Sequence, residues 1–289
     1  MGLEAWNLPD ERVGRPAPDD LAERRKAVAQ LPQNPDPAAV VRSRAYGGVA
    51  CLVVEAPEPD VTVLYLHGGG YRLGEAAGWT EFAARLASAA HARIVLVDYR
   101  LAPEAPFPGA LRDAAAAYDA AYEAHGPLVV AGDSAGGGLA AALALAARDA
   151  GRPAPLGLLL LSPWLDQTFA SGAFERNAAT DGMFGMDAAR VGSEFYLQGH
   201  DPHDPLVSPL LGDLAGLPRV QLFAGGHEVL LDDATAFAAR AAAAGVTVEA
   251  HFVAGMQHVW PTVFPELPES RAALAAMTDF LRGAATASR

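Results

Sequence analysis

The chain has 289 residues, 51% of them hydrophobic and 19% charged, which describes a folded globular protein and excludes a disordered one. A prior of about 150 residues per domain would allow two domains, but α/β folds often use this much chain as one, with a core that needs neither disulfide nor metal. With 34 acidic against 21 basic residues the net charge is −13, which sets the protein against phosphate backbones and anionic lipid, so neither nucleic acid nor a membrane surface is expected as a partner.

In chain order, Met1 to Trp6 lacks a basic segment followed by an apolar core, and Trp6 stands where a myristoylation signal wants Ser or Thr. Residues 1 to about 40 hold one short helix candidate, Asp20 to Leu31, between proline-rich stretches, and fit no strand–helix unit. Cys51 stands alone, which excludes an intrachain disulfide and a zinc site built on several cysteines. No apolar stretch reaches the ~18 residues of a membrane span, because Arg148 and Asp149 interrupt the longest one. A cytoplasmic location follows as the expectation, and a homodimer is permitted without being indicated.

From Val61 the rhythm changes. Val61 to Leu66 is a continuous β-branched and aliphatic run, and Arg93 to Tyr99, Leu128 to Gly132, Leu156 to Leu161 and Arg219 to Ala224 share its character, as strands buried on both faces do. Val246 to Val253 alternates instead, as a half-exposed strand near a sheet edge would. Helical spacing falls between them at Trp79, Phe82, Ala83 and Leu86, at Leu111, Ala115 and Tyr118, from Ser134 to Ala150, from Asp232 to Ala244, and at Leu274, Met277 and Leu281. Strands alternating with helices predict an α/β fold with a mostly parallel sheet. Residues 165 to about 210 break the pattern with Gly, Pro, Asp and aromatics around one helix candidate, Asp187 to Leu197. Together with residues 1 to 40 they read as an addition to the sheet, in the manner of a lid.

Gly132-Asp133-Ser134-Ala135-Gly136 is a nucleophile elbow, G-x-S-x-G, placed directly after a strand and before a helix as the motif requires. The tight turn needs small neighbours, and it lifts the Ser134 hydroxyl clear of the chain. His67-Gly68-Gly69-Gly70, just past Val61 to Leu66, can bring successive backbone N–H groups to one point, as the oxyanion of an acyl-transfer intermediate demands. Ala135, directly after the serine, supplies a further donor in such elbows. Neither a Walker loop nor a G-x-G-x-x-G spacing follows, which disfavours a nucleotide loop.

A serine hydroxyl attacks only when a histidine takes its proton, and the histidine needs a carboxylate to orient it. In this fold type the order is Ser, acid, His. Of His200, His203, His227, His251 and His258, the last lies in a turn beyond the alternating strand and can reach over the end of the sheet; His251 lies within the strand. His200 and His203, with Asp201 and Asp204, form a Pro-punctuated solvated loop rather than a metal site, and no metal is expected. Glu228, Asp232 and Asp233 are the acid candidates. Asp232 and Asp233 open the next helix and read as its caps, so Glu228 is preferred, with Asp232 left open on the residues alone.

These motifs, with Asp98 to Glu104, Ser162-Pro163-Trp164, Asp204 to Leu210 and Met256 to Trp260, resemble the bacterial hormone-sensitive-lipase-like carboxylesterases, an α/β-hydrolase family, from about Val61 to Trp260. The resemblance implies the α/β-hydrolase fold with a helical cap drawn from the two arrhythmic regions. It implies Ser134 as nucleophile, His258 as general base, and Gly69, Gly70 and Ala135 as oxyanion donors. Its acid stands about thirty residues before the histidine and two before a leucine, which Glu228 satisfies, although most relatives carry Asp there. Tyr71, Trp164 and Trp260 are candidates for the substrate pocket, and serve equally well as core aromatics. The implied activity is cofactor-free hydrolysis of small, fairly apolar esters. Lactone hydrolysis by the same residues is the near alternative, and a non-catalytic receptor on the same fold the remote one.

Overall fold

A computed structural model describes residues 3–31, 33–36 and 38–287. The start at Met1 and Gly2, and Pro32 and Pro37 of the first arrhythmic region, lie outside the described residues. Eight strands form one sheet: β1 (Val40–Tyr46), β2 (Val49–Glu55), β3 (Val61–Leu66), β4 (Ala92–Val97), β5 (Val129–Asp133), β6 (Leu158–Leu161), β7 (Val220–Gly225) and β8 (Val248–Val253). Their spatial order is β1-β2-β4-β3-β5-β6-β7-β8; β1, β2 and β4 pair antiparallel, and from β4 to β8 every pairing is parallel.

The helices are α1 (Asp19–Ala29), α2 (Thr80–Ala90), α3 (Gly109–His125), α4 (Ala135–Asp149), α5 (Ala173–Arg176), α6 (Met186–Leu197), α7 (Leu231–Ala243), α8 (Trp260–Val263) and α9 (Pro268–Ala287). Strand side chains alternate between two cores. Leu64, Leu66, Val130, Leu158 and Leu160 pack under α3, α4 and α7, whereas Val63, Tyr65, Val129, Leu159 and Leu161 pack under α2 and α9. Burial on both faces explains why these runs are nearly all apolar instead of alternating, with Thr62, Arg93 and Gln221 among the polar members. β8, with a neighbour on one side only, has no buried residue, and Glu249 and Ala250 are exposed in succession, so the expected strict alternation is broken there.

In the hairpin β1–β2, six of the seven residues of β1 are exposed, and Gly47 and Gly48 make the turn at φ +59° and +83°. β2 is apolar from Val49 to Val54, with Cys51, Val53 and Val54 buried, a run that the expected strands did not include. The parallel register sets the site. Leu66 pairs with Gly132, Asp133 with Leu161, Leu161 with Phe223, and Gly225 with Val253. The chain thus leaves β3, β5, β6, β7 and β8 along one edge of the sheet, where side chains from separate loops can converge.

Candidate active site

The elbow between β5 and α4 is sterically forced. A Cβ on Gly132 would collide with the Gly136 carbonyl oxygen, and one on Gly136 with the carbonyl oxygens of Leu66 and His67. Ser134 itself is held at φ +52°, ψ −122°, a conformation that costs a residue with a Cβ about 1–3 kcal/mol and persists only where its surroundings impose it. The strain is local company: Tyr71, Ser162 and Val259, at φ +60°, +46° and +51°, stand in the loops around it.

From this elbow the Ser134 Oγ lies 2.9 Å from His258 Nε2, and His258 Nδ1 lies 2.7 Å from Glu228 Oε2. A carboxylate only accepts, so Nδ1 carries the proton and Nε2 is the free base facing the hydroxyl. Glu228 is fully buried, and three donors satisfy it: the His258 ring on Oε2, and both the Ser162 hydroxyl (2.9 Å) and the Gly225 N–H on Oε1. Burial pulls the His258 imidazole down, but the hydrogen bond and charge of Glu228, with Asp181 and Asp133 behind it, outweigh burial and hold it above its ordinary 6.5. Phe184 stacks on the imidazole at 5.5 Å between ring centres and shields one face from water.

The glycine loop after β3 faces this row. Among the described residues, the N–H groups of Gly69, Gly70 and Ala135 donate no hydrogen bond within the protein, and Gly69 and Gly70 line the cavity beside Ser134. Asp133 ties the loop to the elbow: it accepts from the Gly68 N–H at 3.0 Å and from the Tyr65 hydroxyl at 2.9 Å. Burial pushes the Asp133 carboxyl up to about 6 despite those two donors.

The other acid candidates point elsewhere. Asp232 pairs with Arg176. Asp233 does not cap its helix; its Oδ2 accepts the Leu165 and Asp166 N–H groups at 3.1 Å each, and burial pushes it up to about 8. His251 stacks on Phe223 at 4.5 Å, and His200 and His203 pair locally with Asp204 and Asp201. Among the described residues no group of three or more His, Cys, Asp or Glu side chains is placed to hold a metal.

Above Ser134 and His258 opens a cavity of about 500 Å³. Trp79, Phe82, Val259 and Val263 give it apolar walls; Arg24, Val28 and Leu31, in and just beyond α1, and Met183, Phe184 and Ala188 from the mid-chain region cover it. Tyr71, Trp164 and Trp260 do not line it, which corrects their reading as pocket residues. All three are buried: Tyr71 stacks on Tyr196 at 3.8 Å, Trp164 packs against Tyr71, and Trp260 against Phe223. Tyr71 and Trp164 fill the seam between the sheet and the mid-chain segment, against Tyr196, Phe169 and Phe184, and Trp260 lies in the core beneath α9.

Ser162 stands in the sequence only as part of the Ser162-Pro163-Trp164 motif, with no role assigned to it. Its Oγ donates to Glu228 and accepts the Val259 N–H at 3.0 Å, so one hydroxyl holds the acid and the strained residue after the histidine. The signal for it is topological: β6 lies between β5 and β7, and the residue just past β6 must face both neighbouring loops.

The profile of the alpha/beta hydrolase fold matches residues 63–262. An acetyl-hydrolase of Streptomyces hygroscopicus is 42% identical over 226 residues, covering 77% of this chain and 76% of its own. Carboxylesterase NlhH of Mycobacterium tuberculosis is 34% identical over 226 residues, 72% of this chain and 70% of its own. Among solved structures, EstE5 soaked with ethyl alcohol superposes with a TM-score of 0.89 at 34% identity, covering 98% of this chain and 96% of that one. The hormone-sensitive-lipase homologue EstE7 from a metagenome library reaches 0.88 at 34% identity over 91% of this chain and 93% of its own. These names favour open esters over lactones.

Proposed function

Since this chain belongs to the alpha/beta hydrolase fold family, alongside the bacterial esterases related to hormone-sensitive lipase, we propose that it hydrolyses esters through Ser134, His258 and Glu228. Ester hydrolysis is the activity carried in the names of its relatives, and the chain is a carboxylic-ester hydrolase. Ser134 Oγ attacks the ester carbonyl while His258 Nε2 takes its proton. The N–H groups of Gly69, Gly70 and Ala135 receive the oxyanion; each such donor is typically worth about 10²–10³ in rate. His258 then returns the proton to the leaving alcohol, and the acyl group stays on Ser134. Water, deprotonated by the same imidazole, attacks the acyl-enzyme and frees the acid and the serine.

The unbroken chain of contacts from Oγ through the imidazole to a buried carboxylate carries this reading. A non-catalytic receptor would have no use for it. The cavity of about 500 Å³ with apolar walls suits a small, largely apolar ester. The described residues of the segments 1 to about 40 and 165 to about 210 form the cap of this proposal, because both contribute to the cavity wall. No helix among the described residues is long and apolar enough to cross a membrane, and the single buried Cys51 suits the reducing cytoplasm. Purified protein is expected to release p-nitrophenol from p-nitrophenyl butyrate, and Ser134→Ala to lower that rate by about 10⁵-fold or more. Unchanged turnover in the variant would end the assignment.

A further inference from the structure

Arginines of this chain commonly meet carboxylates: Arg93 pairs with Glu55, Arg100 with Asp113, Arg152 with Asp119. Arg72 does not. It is 6% exposed, and its side chain lines the cavity. Its Nη2 donates to the Ala188 carbonyl of α6 at 3.2 Å; among the described residues no carboxylate lies within ion-pair distance and its other N–H groups have no acceptor. A guanidinium carries five donors in a fixed fork, so a clamp on one carbonyl leaves most of them unused. Burial draws its pKa down and the neighbouring Arg24 adds to that, with Asp20 opposing, but arginine stays cationic at any working pH. A buried cation with no carboxylate in contact is costly; Asp20 acts on it only from beyond ion-pair distance, and the cavity is the direction from which a closer counter-charge can come.

Its position ties it to the reaction. Nε lies 3.9 Å from where a Cβ on Gly70 would stand, next to the candidate oxyanion loop. Arg24, exposed on α1 and also on the cavity wall, adds a second positive charge, and the adjacent Arg25 donates to the Arg72 carbonyl at 2.9 Å, which seats α1 over it. Of the acidic side chains on the wall, Asp133 faces Tyr65 and Gly68, and Glu81 accepts the Asn34 N–H at 3.1 Å. Neither is paired with Arg72.

We propose that Arg72, assisted by Arg24, is an anion subsite, and that the preferred esters carry a free carboxylate as well as an apolar body. The proposal rests on the ester-hydrolase reading above and deepens it: Arg72 selects the substrate without taking part in bond making.

Two matched pairs test it. On the acyl side, mono-p-nitrophenyl succinate is compared with p-nitrophenyl butyrate; on the alcohol side, 4-acetoxybutyrate with pentyl acetate, followed by acid release. The wild-type protein is expected to favour the anionic ester in one pair, in kcat/KM corrected for intrinsic reactivity, by about tenfold or more at low salt. The pair that responds locates the subsite. In Arg72→Met that ratio is expected to collapse, and in Arg24→Ala, a change on an exposed side chain that spares the fold, to fall about two- to threefold. Equal rates within both pairs for the wild type, or ratios untouched in both variants, would overturn the subsite while leaving the esterase standing. Failure to hydrolyse even the neutral esters would strike the ester-hydrolase reading instead.

Discussion

At the floor of the cavity, Ser134, His258 and Glu228 are 6%, 5% and 0% exposed, and the acid has a partner on each oxygen. In the roof, α1 buries only Leu21 and is seated by Arg25, which reaches Glu104 and the Arg72 and Ala102 carbonyls. The floor is built at strand ends, where the sheet register fixes which loops meet, whereas α1 in the roof is held to the rest of the fold chiefly by the polar contacts of Arg25. Changes in the floor should therefore act on kcat, and changes in the roof on KM and on substrate choice.

The strongest test of that division is the acid. Glu228→Gln keeps the shape but removes the charge that stabilises the imidazolium, and is expected to lower kcat on p-nitrophenyl butyrate by about 10³–10⁴-fold. Asp232→Asn, on a side chain tied to Arg176, should stay within about twofold. A reversed order would move the acid. Next in size is pH. Because His258 must be neutral to accept a proton and its pKa is raised, kcat/KM should climb about tenfold per pH unit on the acid side, with a midpoint above 6.5. A profile flat from pH 5 to 8 would count against His258 as base. Ser162→Ala leaves the Val259 N–H without its acceptor and takes one donor from Glu228, so kcat should drop about tenfold with KM nearly constant, and the melting temperature should fall as well. An effect on KM alone would detach Ser162 from the acid. Smallest is Arg25→Ala: its ion pair with Glu104 is partly exposed, and releasing α1 should raise KM about two- to threefold at unchanged kcat. A kcat effect there of the size seen for Ser162 would dissolve the distinction between floor and roof.

Much of the floor was legible in the sequence because its parts are short-range events. The elbow at Gly132–Gly136 and the glycine run at Gly68–Gly70 are demanded by backbone sterics within a few residues, and His258 announces itself by following a strand. The choice of Glu228 over Asp232 was not decided by local rules; both follow β7, and only the packed structure sends one toward the imidazole and the other toward Arg176. The capping role expected of Asp233 gave way to a long-range one, since its Oδ2 accepts the loop N–H groups of Leu165 and Asp166. For Tyr71, Trp164 and Trp260 the sequence left pocket wall and core open for a related reason: an aromatic near a motif can be either, and composition does not distinguish them; all three are buried off the cavity.

Taken alone, the sequence determined the α/β class, the strands β3 to β8, and the elbow and glycine loop, because apolar runs and tight turns are dictated by neighbours along the chain. The order of strands in space, the hairpin β1–β2 at one end, the carboxylate that meets His258, the hydroxyl of Ser162 beneath it and the unpaired guanidinium of Arg72 were decided only when distant segments packed. A side chain's partner across the fold depends on which loops the sheet register brings side by side, and that is a property of the assembled sheet.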